Sequence, residues 1–250
     1  MGTNIFSKRN PIPQSQSLVC EVRGLQELKK FTAQHGLNIP HIVNLSSDEL
    51  KMEHIHAKQP SPQDWTTLGT GLAKLHQVKA KEFGFESDNF IGLNKQINSH
   101  NPNWGAFFCE NRLIYQTNLI TNSNLKNYIL KKLNQTRSVL IDFLNVHNPQ
   151  PSLVHGDLWS GNVLFDHKGP WLIDPAVYYG DRETDLAMTE MFGKFSPLFY
   201  EAYQQAYPLP QGFTVRKKIY NMYHFLNHLN LFGQSYMSGV EEGLQAIERL

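Results

Sequence analysis

The chain has 250 residues, of which 40% are apolar and 18% are charged, and its formal net charge is +1. This composition predicts a globular protein with a hydrophobic core, and the near-neutral charge argues against a nucleic-acid partner or a membrane surface. No apolar run has the length of a membrane span, no signal peptide is recognisable, and two cysteines make no disulfide framework, so we expect a cytoplasmic protein.

The first predicted elements are a short strand and a helix. Residues 3–7 are partly β-prone and lead to Lys8, and a loop rich in Pro, Gln and Ser separates them from a helix that Ser17 could cap. Glu21 lies in the first turns of this helix. A kinase holds the phosphates of ATP with a strand lysine that a glutamate on the next helix orients, and Lys8 and Glu21 fit that order. Their spacing alone, however, favours a solvated lysine and an ordinary helix-start glutamate.

Two further strands are predicted over residues 41–45 and 49–55, around a polar turn, and a proline-rich boundary follows at residues 60–62. A helix should then cover residues 64–78. It contains Gly69 and, two residues later, a second glycine. A phosphate-binding glycine loop has to follow a strand, so we interpret this pair as a site of close helix packing.

The scaffold of the C-terminal part should be helical. Residues 104–118 and 124–144 are predicted as two helices without chemistry of their own. Further along, His224 and His228 are four residues apart and so share one helix face. A zinc site would need a third ligand, and none is evident nearby, so we interpret them as core or acceptor-pocket histidines.

The most informative stretch is residues 152–165, where two apolar runs enclose the pattern His-x-Asp-x-x-x-x-Asn, formed by His155, Asp157 and Asn162. This is the spacing of a kinase catalytic loop. A turn and a short strand follow, ending in Asp174. In such a site Asp157 takes the proton of an acceptor hydroxyl, and Asn162 and Asp174 hold magnesium. The motif therefore predicts phosphoryl transfer from ATP with Mg²⁺.

Residues 155–162, 173–183 and 185–188 resemble the fructosamine kinase family, also called ketosamine kinases. Aminoglycoside and choline kinases share the His-Gly-Asp and Asn pattern, whereas the Leu-Trp-Ser-Gly and Pro-Ala-Val-Tyr-Tyr-Gly-Asp-Arg runs look specific to the fructosamine branch. The resemblance implies an α+β, two-lobed protein-kinase-like fold. It divides the chain into an N-terminally incomplete small lobe, residues 1–59, and a mostly helical large lobe, residues 60–250.

The reaction that this resemblance implies is ATP-dependent phosphorylation of a sugar hydroxyl on a ketosamine, either a small molecule or protein-bound. The resemblance assigns Lys8 to the α and β phosphates and Glu21 to the orientation of its ammonium group. It also assigns adenine to the hinge, where the main-chain carbonyl of Glu53 and the amide of Ile55 would bind it.

Two residues are predicted to line the substrate pocket. Trp159 would wall the sugar site, because an aromatic face packs well on the C–H groups of a sugar, with core packing as the alternative. His224 is the candidate on the acceptor side. Asp185, near the start of the next helix, should brace the catalytic loop rather than touch the substrate.

Only seven residues precede Lys8, and Gly2 is their only glycine. A kinase fold places two strands and a glycine-rich loop before this lysine. We therefore expect the printed chain to be a weak or inactive kinase with an exposed edge at residues 3–7. Two other functions stay open: a catalytically silent pseudokinase that binds a nucleotide or a partner, and a kinase of aminoglycosides or choline.

Overall fold

The computed structural model describes residues 4–250. Its N-terminal part is an antiparallel sheet in the order β1-β3-β2, formed by β1 (Ile5–Arg9), β2 (Ile42–Leu45) and β3 (Glu49–Glu53). Helix α1 (Ser17–Thr32) packs on one face of this sheet. Buried side chains alternate along β3, as expected for a strand with one face in the core. The buried apolar contacts between α1 and the sheet are Leu18, Val22, Leu50 and Met52.

Strand β1 begins inside the β-prone segment predicted over residues 3–7 and ends two residues after it. Lys8 therefore lies inside the strand. Among the described residues β1 is an edge of the sheet, and Ile5 and Phe6 are exposed there. Gly2, on which the expectation of a missing glycine-rich loop rests, lies outside the described residues, and that expectation stays a prediction.

The start of α1 differs from the prediction. Gln16, not Ser17, occupies the N-cap position, and its side chain makes no capping hydrogen bond. The Ser17 hydroxyl instead donates to Oδ1 of Asn10 at 2.7 Å, and the same oxygen accepts the main-chain N–H of Ile12 at 3.1 Å. The Ser17 side chain therefore stabilises the loop before the helix, because it shares the Asn10 side-chain oxygen with the Ile12 N–H.

Helix α2 covers Pro62–Leu75 and begins two residues before the predicted start. Ser61 caps it, because the Asp64 N–H donates to the Ser61 hydroxyl and the Asp64 carboxylate accepts the Ser61 N–H. Gly69 confirms the predicted close packing: a β carbon there would lie 2.3 Å from the carbonyl oxygen of Phe199 on a neighbouring helix.

The predicted helix over residues 104–118 is continuous, but its middle, Cys109–Ile114, is π-helical. Such wide turns occur in helices mostly as single insertions. Within residues 4–250, no helix combines the length and the apolar character needed to cross a membrane. The helices after α2 are α3 (Trp104–Phe108), α4 (Tyr115–Asn118), α5 (Ser123–Asn145), α6 (Glu183–Met188), α7 (Pro197–Ala206), α8 (Phe213–Phe232) and α9 (Met237–Glu248).

Three short antiparallel strand pairs lie among these helices and frame the candidate site. The turn predicted at residues 166–169 joins one pair, and Asp174 lies two residues beyond its second strand. The predicted boundary between residues 59 and 60 falls between β3 and α2 and stays a prediction. The pairs are β4 (Asn89–Ile91) with β5 (Asn94–Gln96), β6 (Ser152–Val154) with β9 (Tyr178–Gly180), and β7 (Val163–Asp166) with β8 (Gly169–Leu172).

Candidate active site

The loop between β6 and β7 is held from inside by His155. Its Nε2 lies 3.0 Å from the carbonyl oxygen of Ile173, and its Nδ1 accepts the main-chain N–H of Asp157 at 3.3 Å. A carbonyl only accepts and an amide N–H only donates, so the proton of the imidazole is on Nε2. Burial lowers the pKa of His155, which keeps the ring neutral. His155 therefore ties the loop to the segment that precedes Asp174.

Asp185 braces the same loop, as predicted. Its carboxylate accepts the main-chain N–H groups of His155 at 2.7 Å and Gly156 at 2.9 Å, and it lies 3.1 Å from Nε2 of the buried His76. Gly156 has a φ of +80°, and a β carbon there would lie 2.1 Å from the carbonyl oxygen of Ala176. The catalytic loop here passes directly against the chain that follows Asp174, and only glycine leaves enough room between them.

Asp157 and Asn162 are in direct contact. The amide nitrogen of Asn162 donates to the main-chain carbonyl of Asp157 at 2.8 Å and to its Oδ2 at 3.0 Å. The Asn162 side-chain oxygen is thereby left available for another partner. Burial raises the pKa of the Asp157 carboxyl to about 7, against the opposing hydrogen bond from Asn162. A carboxyl with a pKa near 7 is suited to accept a proton at neutral pH.

Lys8, on β1, contacts one side chain on α1 and one in the segment after β8. Its ammonium lies 2.9 Å from Oε2 of Glu21 on α1 and 2.8 Å from Oδ1 of Asp174, beyond β8. The structure thus brings together the predicted lysine, glutamate and metal ligand. Asp174 has a φ of +51°, an uncommon conformation for a residue other than glycine, and one that recurs at functional sites.

The two carboxylates beside Lys8 differ in their electrostatics. Burial raises the pKa of Glu21 to about 7, although the Lys8 ammonium opposes this. Burial also acts to raise the pKa of Asp174, but there the Lys8 ammonium and a hydrogen bond with Glu21 together outweigh it and hold the pKa below its usual value. Within residues 4–250, Oε1 of Glu21 is buried without a hydrogen-bond partner. Asp174 is therefore the carboxylate that stays ionised and half-exposed at the site.

These side chains surround one cavity of about 260 Å³. Among the described residues, Glu53 and Ile55 are not part of its lining. The Glu53 carboxylate forms an ion pair with Lys168 at 3.1 Å, and Ile55 is buried, so their predicted contact with adenine stays a prediction. The predicted site residues that do line the cavity are Lys8, Glu21, Asp157, Trp159, Asn162 and Asp174.

A second cavity, of about 400 Å³, shares Gly92, Asp157 and Trp159 with the first. Trp159 is half-buried and lies in both walls, so it is placed where a substrate could reach it. His224 is buried at 4% exposure, which fits the core alternative of the prediction. Among the described residues it is not part of the lining of either cavity, whereas His228, one turn later on α8, lines the second one, and the predicted contact of His224 with the substrate stays a prediction. The packing of α8 turns the His224 ring into the core.

Sequence reasoning missed two amides that hold the chain after Asp174. Asn89 donates to the carbonyl oxygen of Val177 at 2.8 Å, and Gln96 donates to that of Ala176 at 3.0 Å. Asn89 lies in β4 and Gln96 in β5, and isolated amides in such short strands give no sequence signal. The aromatic side of the second cavity was also missed, although His228, Phe232 and Tyr236 recur every four residues, a spacing that could have revealed it.

The chain is similar to known proteins over most of its length. The fructosamine kinase family model matches residues 1–249. A "Probable ketoamine kinase" of Vibrio parahaemolyticus is 46% identical over 70% of the chain and 60% of its own length. Another, of Enterococcus faecium, is 39% identical over 96% of the chain and 86% of its own length. The chain thus matches somewhat less than two thirds of the first relative and most of the second.

Solved structures agree on the fold. A "putative fructosamine-3-kinase" of Thermobifida fusca superposes with a TM-score of 0.86 at 28% identity, covering 100% of this chain and 87% of that one. An aminoglycoside phosphotransferase in a ternary complex with streptomycin and ATP gives a TM-score of 0.64 at 15% identity, covering 96% and 84%, which supports the protein-kinase-like fold alone. The full-length family match, the relatives and the fold together show that this chain belongs to the fructosamine kinase family.

Proposed function

We propose that this protein transfers the γ-phosphoryl group of ATP to a sugar hydroxyl of a ketosamine, free or attached to a protein, with Mg²⁺. The observation that carries the proposal is the meeting of two cavities at Asp157 and Trp159. One cavity holds the lysine and the carboxylates that phosphate chemistry needs. The other offers an aromatic wall to an acceptor. A phosphoryl donor and an acceptor could thus approach the same carboxylate from two sides.

On the nucleotide side, Lys8 would bind the α and β phosphates, and Glu21 would orient its ammonium group. The 2.9 Å contact between the two supports these roles. Adenine would use the main-chain carbonyl of Glu53 and the amide of Ile55. The use of ATP is supported by the match of the chain to the fructosamine kinase family. In this account residues 1–59 form the small lobe and residues 60–250 the large lobe.

The donor set fits magnesium. This hard cation prefers oxygen ligands and is usually held by one or two carboxylates together with substrate phosphates. Asp174 offers a carboxylate that stays ionised, and Asn162 offers the amide oxygen that its contact with Asp157 leaves available. When bound, the ion would neutralise negative charge on the phosphate oxygens.

On the acceptor side, Asp157 would orient the sugar hydroxyl and take its proton, and Trp159 would pack on the sugar. A carboxyl with a pKa near 7 suits this role. The pseudokinase alternative is weakened because every side chain of the phosphoryl-transfer set lies in one place. The aminoglycoside alternative is weakened because, within the described residues, Asp157 is the only carboxylate in the second cavity, whereas polycations are usually met by several.

The test is a substrate panel with the purified chain, ATP and Mg²⁺. We expect release of ADP with fructosyl-lysine, and mass spectrometry should find one added phosphoryl group on the sugar. Choline and an aminoglycoside serve as matched acceptors for the alternatives. Turnover with either of these and not with fructosyl-lysine would reassign the substrate, and nucleotide binding without any turnover would favour the pseudokinase.

A further inference from the structure

The second cavity has an almost continuous aromatic wall. Trp159 meets Phe192 edge to face, with ring centroids 5.8 Å apart, and Phe192 lies 5.0 Å from the His228 ring. His228 in turn lies 4.9 Å from Tyr236 and 5.4 Å from Phe232. These five side chains, here called the aromatic wall, all line the cavity. The face of an aromatic ring carries partial negative charge and attracts cations.

The formal charges around the aromatic wall are few. Among the described lining residues, Asp157 is the only acid, and no lysine or arginine is present. A positively charged group in this cavity would meet one carboxylate and several aromatic side chains, without a like charge to repel it. A second negative charge, in contrast, would find no cation there.

His228 adds an acceptor rather than a charge. Its Nδ1 lies 2.8 Å from the main-chain carbonyl of His224, which can only accept, so the proton of the ring is on Nδ1. Nε2 then carries a lone pair and can accept a hydrogen bond. Burial lowers the pKa of His228, and the neighbouring His224, also buried, is held neutral by its own lowered pKa. The histidine end of the wall is therefore uncharged near neutral pH.

We propose that the aromatic wall binds the protonated linking amine of the acceptor, so that the enzyme selects ketosamines whose nitrogen carries a positive charge. The proposal rests on the ketosamine kinase activity proposed above. In a ketosamine only three carbons separate that nitrogen from the hydroxyl next to the carbonyl carbon. A hydroxyl held at Asp157 therefore keeps the amine inside the cavity that Asp157 shares with the aromatic wall.

The experiment compares two acceptors that differ at one atom. One is 1-deoxy-1-(cyclohexylamino)fructose, a ketosamine whose nitrogen is protonated at pH 7. The other is 1-O-cyclohexyl-fructose, in which an uncharged ether oxygen replaces the amine. We expect the amine to bind about 10-fold more tightly by calorimetry, as estimated for a cation–π contact that is shielded from water. Equal affinities would overturn the proposal.

Variants of Phe192 show whether the ring faces cause the preference. Phe192→Leu keeps an apolar side chain but removes the π face, and Phe192→Tyr keeps the face. We expect the preference for the amine to fall severalfold in Phe192→Leu and to persist in Phe192→Tyr, with the affinity for the ether little changed in both. An unchanged preference in Phe192→Leu would contradict the role of the wall.

Binding and turnover separate this proposal from the proposed function. If the amine is preferred in binding but neither compound nor fructosyl-lysine is phosphorylated, the kinase assignment fails while the amine site stands. If fructosyl-lysine is phosphorylated and the two cyclohexyl compounds bind equally, the kinase assignment stands and the amine site fails.

Discussion

Lys8 and Asp174, 166 positions apart in the chain, lie 2.8 Å apart across the candidate active site. The contact joins the edge strand of the N-terminal sheet to the segment that follows the catalytic loop. It places the predicted phosphate ligand beside a predicted metal ligand, where the two could act on the same polyphosphate. The arrangement gives each of these residues a distinct expected effect on nucleotide binding.

Replacement of Lys8 by methionine should weaken ATP binding about 10- to 100-fold, because hydrogen bonds to charged groups contribute about 1.5–3 kcal/mol. Titration calorimetry measures the change. Lys30→Met is the matched control, since Lys30 is exposed on the same helix as Glu21 and pairs only with Glu27 among the described residues. Wild-type ATP affinity in Lys8→Met would remove Lys8 from the nucleotide site.

Asp174→Ala should make nucleotide binding insensitive to magnesium, because it removes the ionised carboxylate of the proposed metal site. The measurement is ATP affinity with Mg²⁺ and with a chelator. Asp142→Ala, at an exposed position of α5, controls for the loss of one negative charge. A magnesium response in Asp174→Ala as large as that of the wild type would count against the metal role.

Two glycines with positive φ separate backbone strain from crowding. At Gly193 nothing lies within 4 Å of the position that a β carbon would take, so Gly193→Ala should cost only about 1 kcal/mol of unfolding free energy for its φ of +90°. Gly156→Ala should cost at least about 2 kcal/mol more, because its β carbon would collide with the Ala176 carbonyl. Urea unfolding measures both losses of unfolding free energy. Equal losses for the two variants would mean that the backbone is not tightly packed around Gly156.

The buried His224 should make the fold acid-sensitive. Its pKa is lowered to about 3 by burial, against about 6.5 in the unfolded chain. The unfolded state therefore takes up a proton first as the pH falls below 6.5, and stability is lost from there downwards. Between pH 7.5 and 5.5 the wild type should lose about 1.4 kcal/mol more than His224→Leu. Parallel losses in urea unfolding would show that His224 titrates normally.

Local parts of the site could be predicted from the sequence. Asp157 and Asn162 are five residues apart on one loop, so their spacing alone brought them together. The glycine at its end was enough to predict the turn after β7. In contrast, the contact of Lys8 with Asp174 depends on how the N-terminal sheet sits on the rest of the chain, and no local pattern encodes that placement.

The residues that line the second cavity were the hardest to predict from the sequence. His224 and His228 share one helix face in the sequence, and helical spacing could not decide which one reaches the cavity. That depends on how α8 packs against α6 and α9, and the packing buries His224. Phe192, which lies outside any helix, comes to the same cavity only through the fold.

The most direct measurement compares the wild type with Asp157→Asn in ATP-dependent phosphorylation of fructosyl-lysine. Loss of a general base typically lowers turnover about 10²–10⁴-fold, while ATP binding and unfolding free energy should stay close to wild type, because asparagine keeps the shape of the side chain. We therefore predict a phosphorylated sugar product with the wild type, formed slowly as expected of a weak kinase, and almost none with Asp157→Asn. Equal rates in the two proteins, or no phosphorylated product with the wild type, would contradict the account.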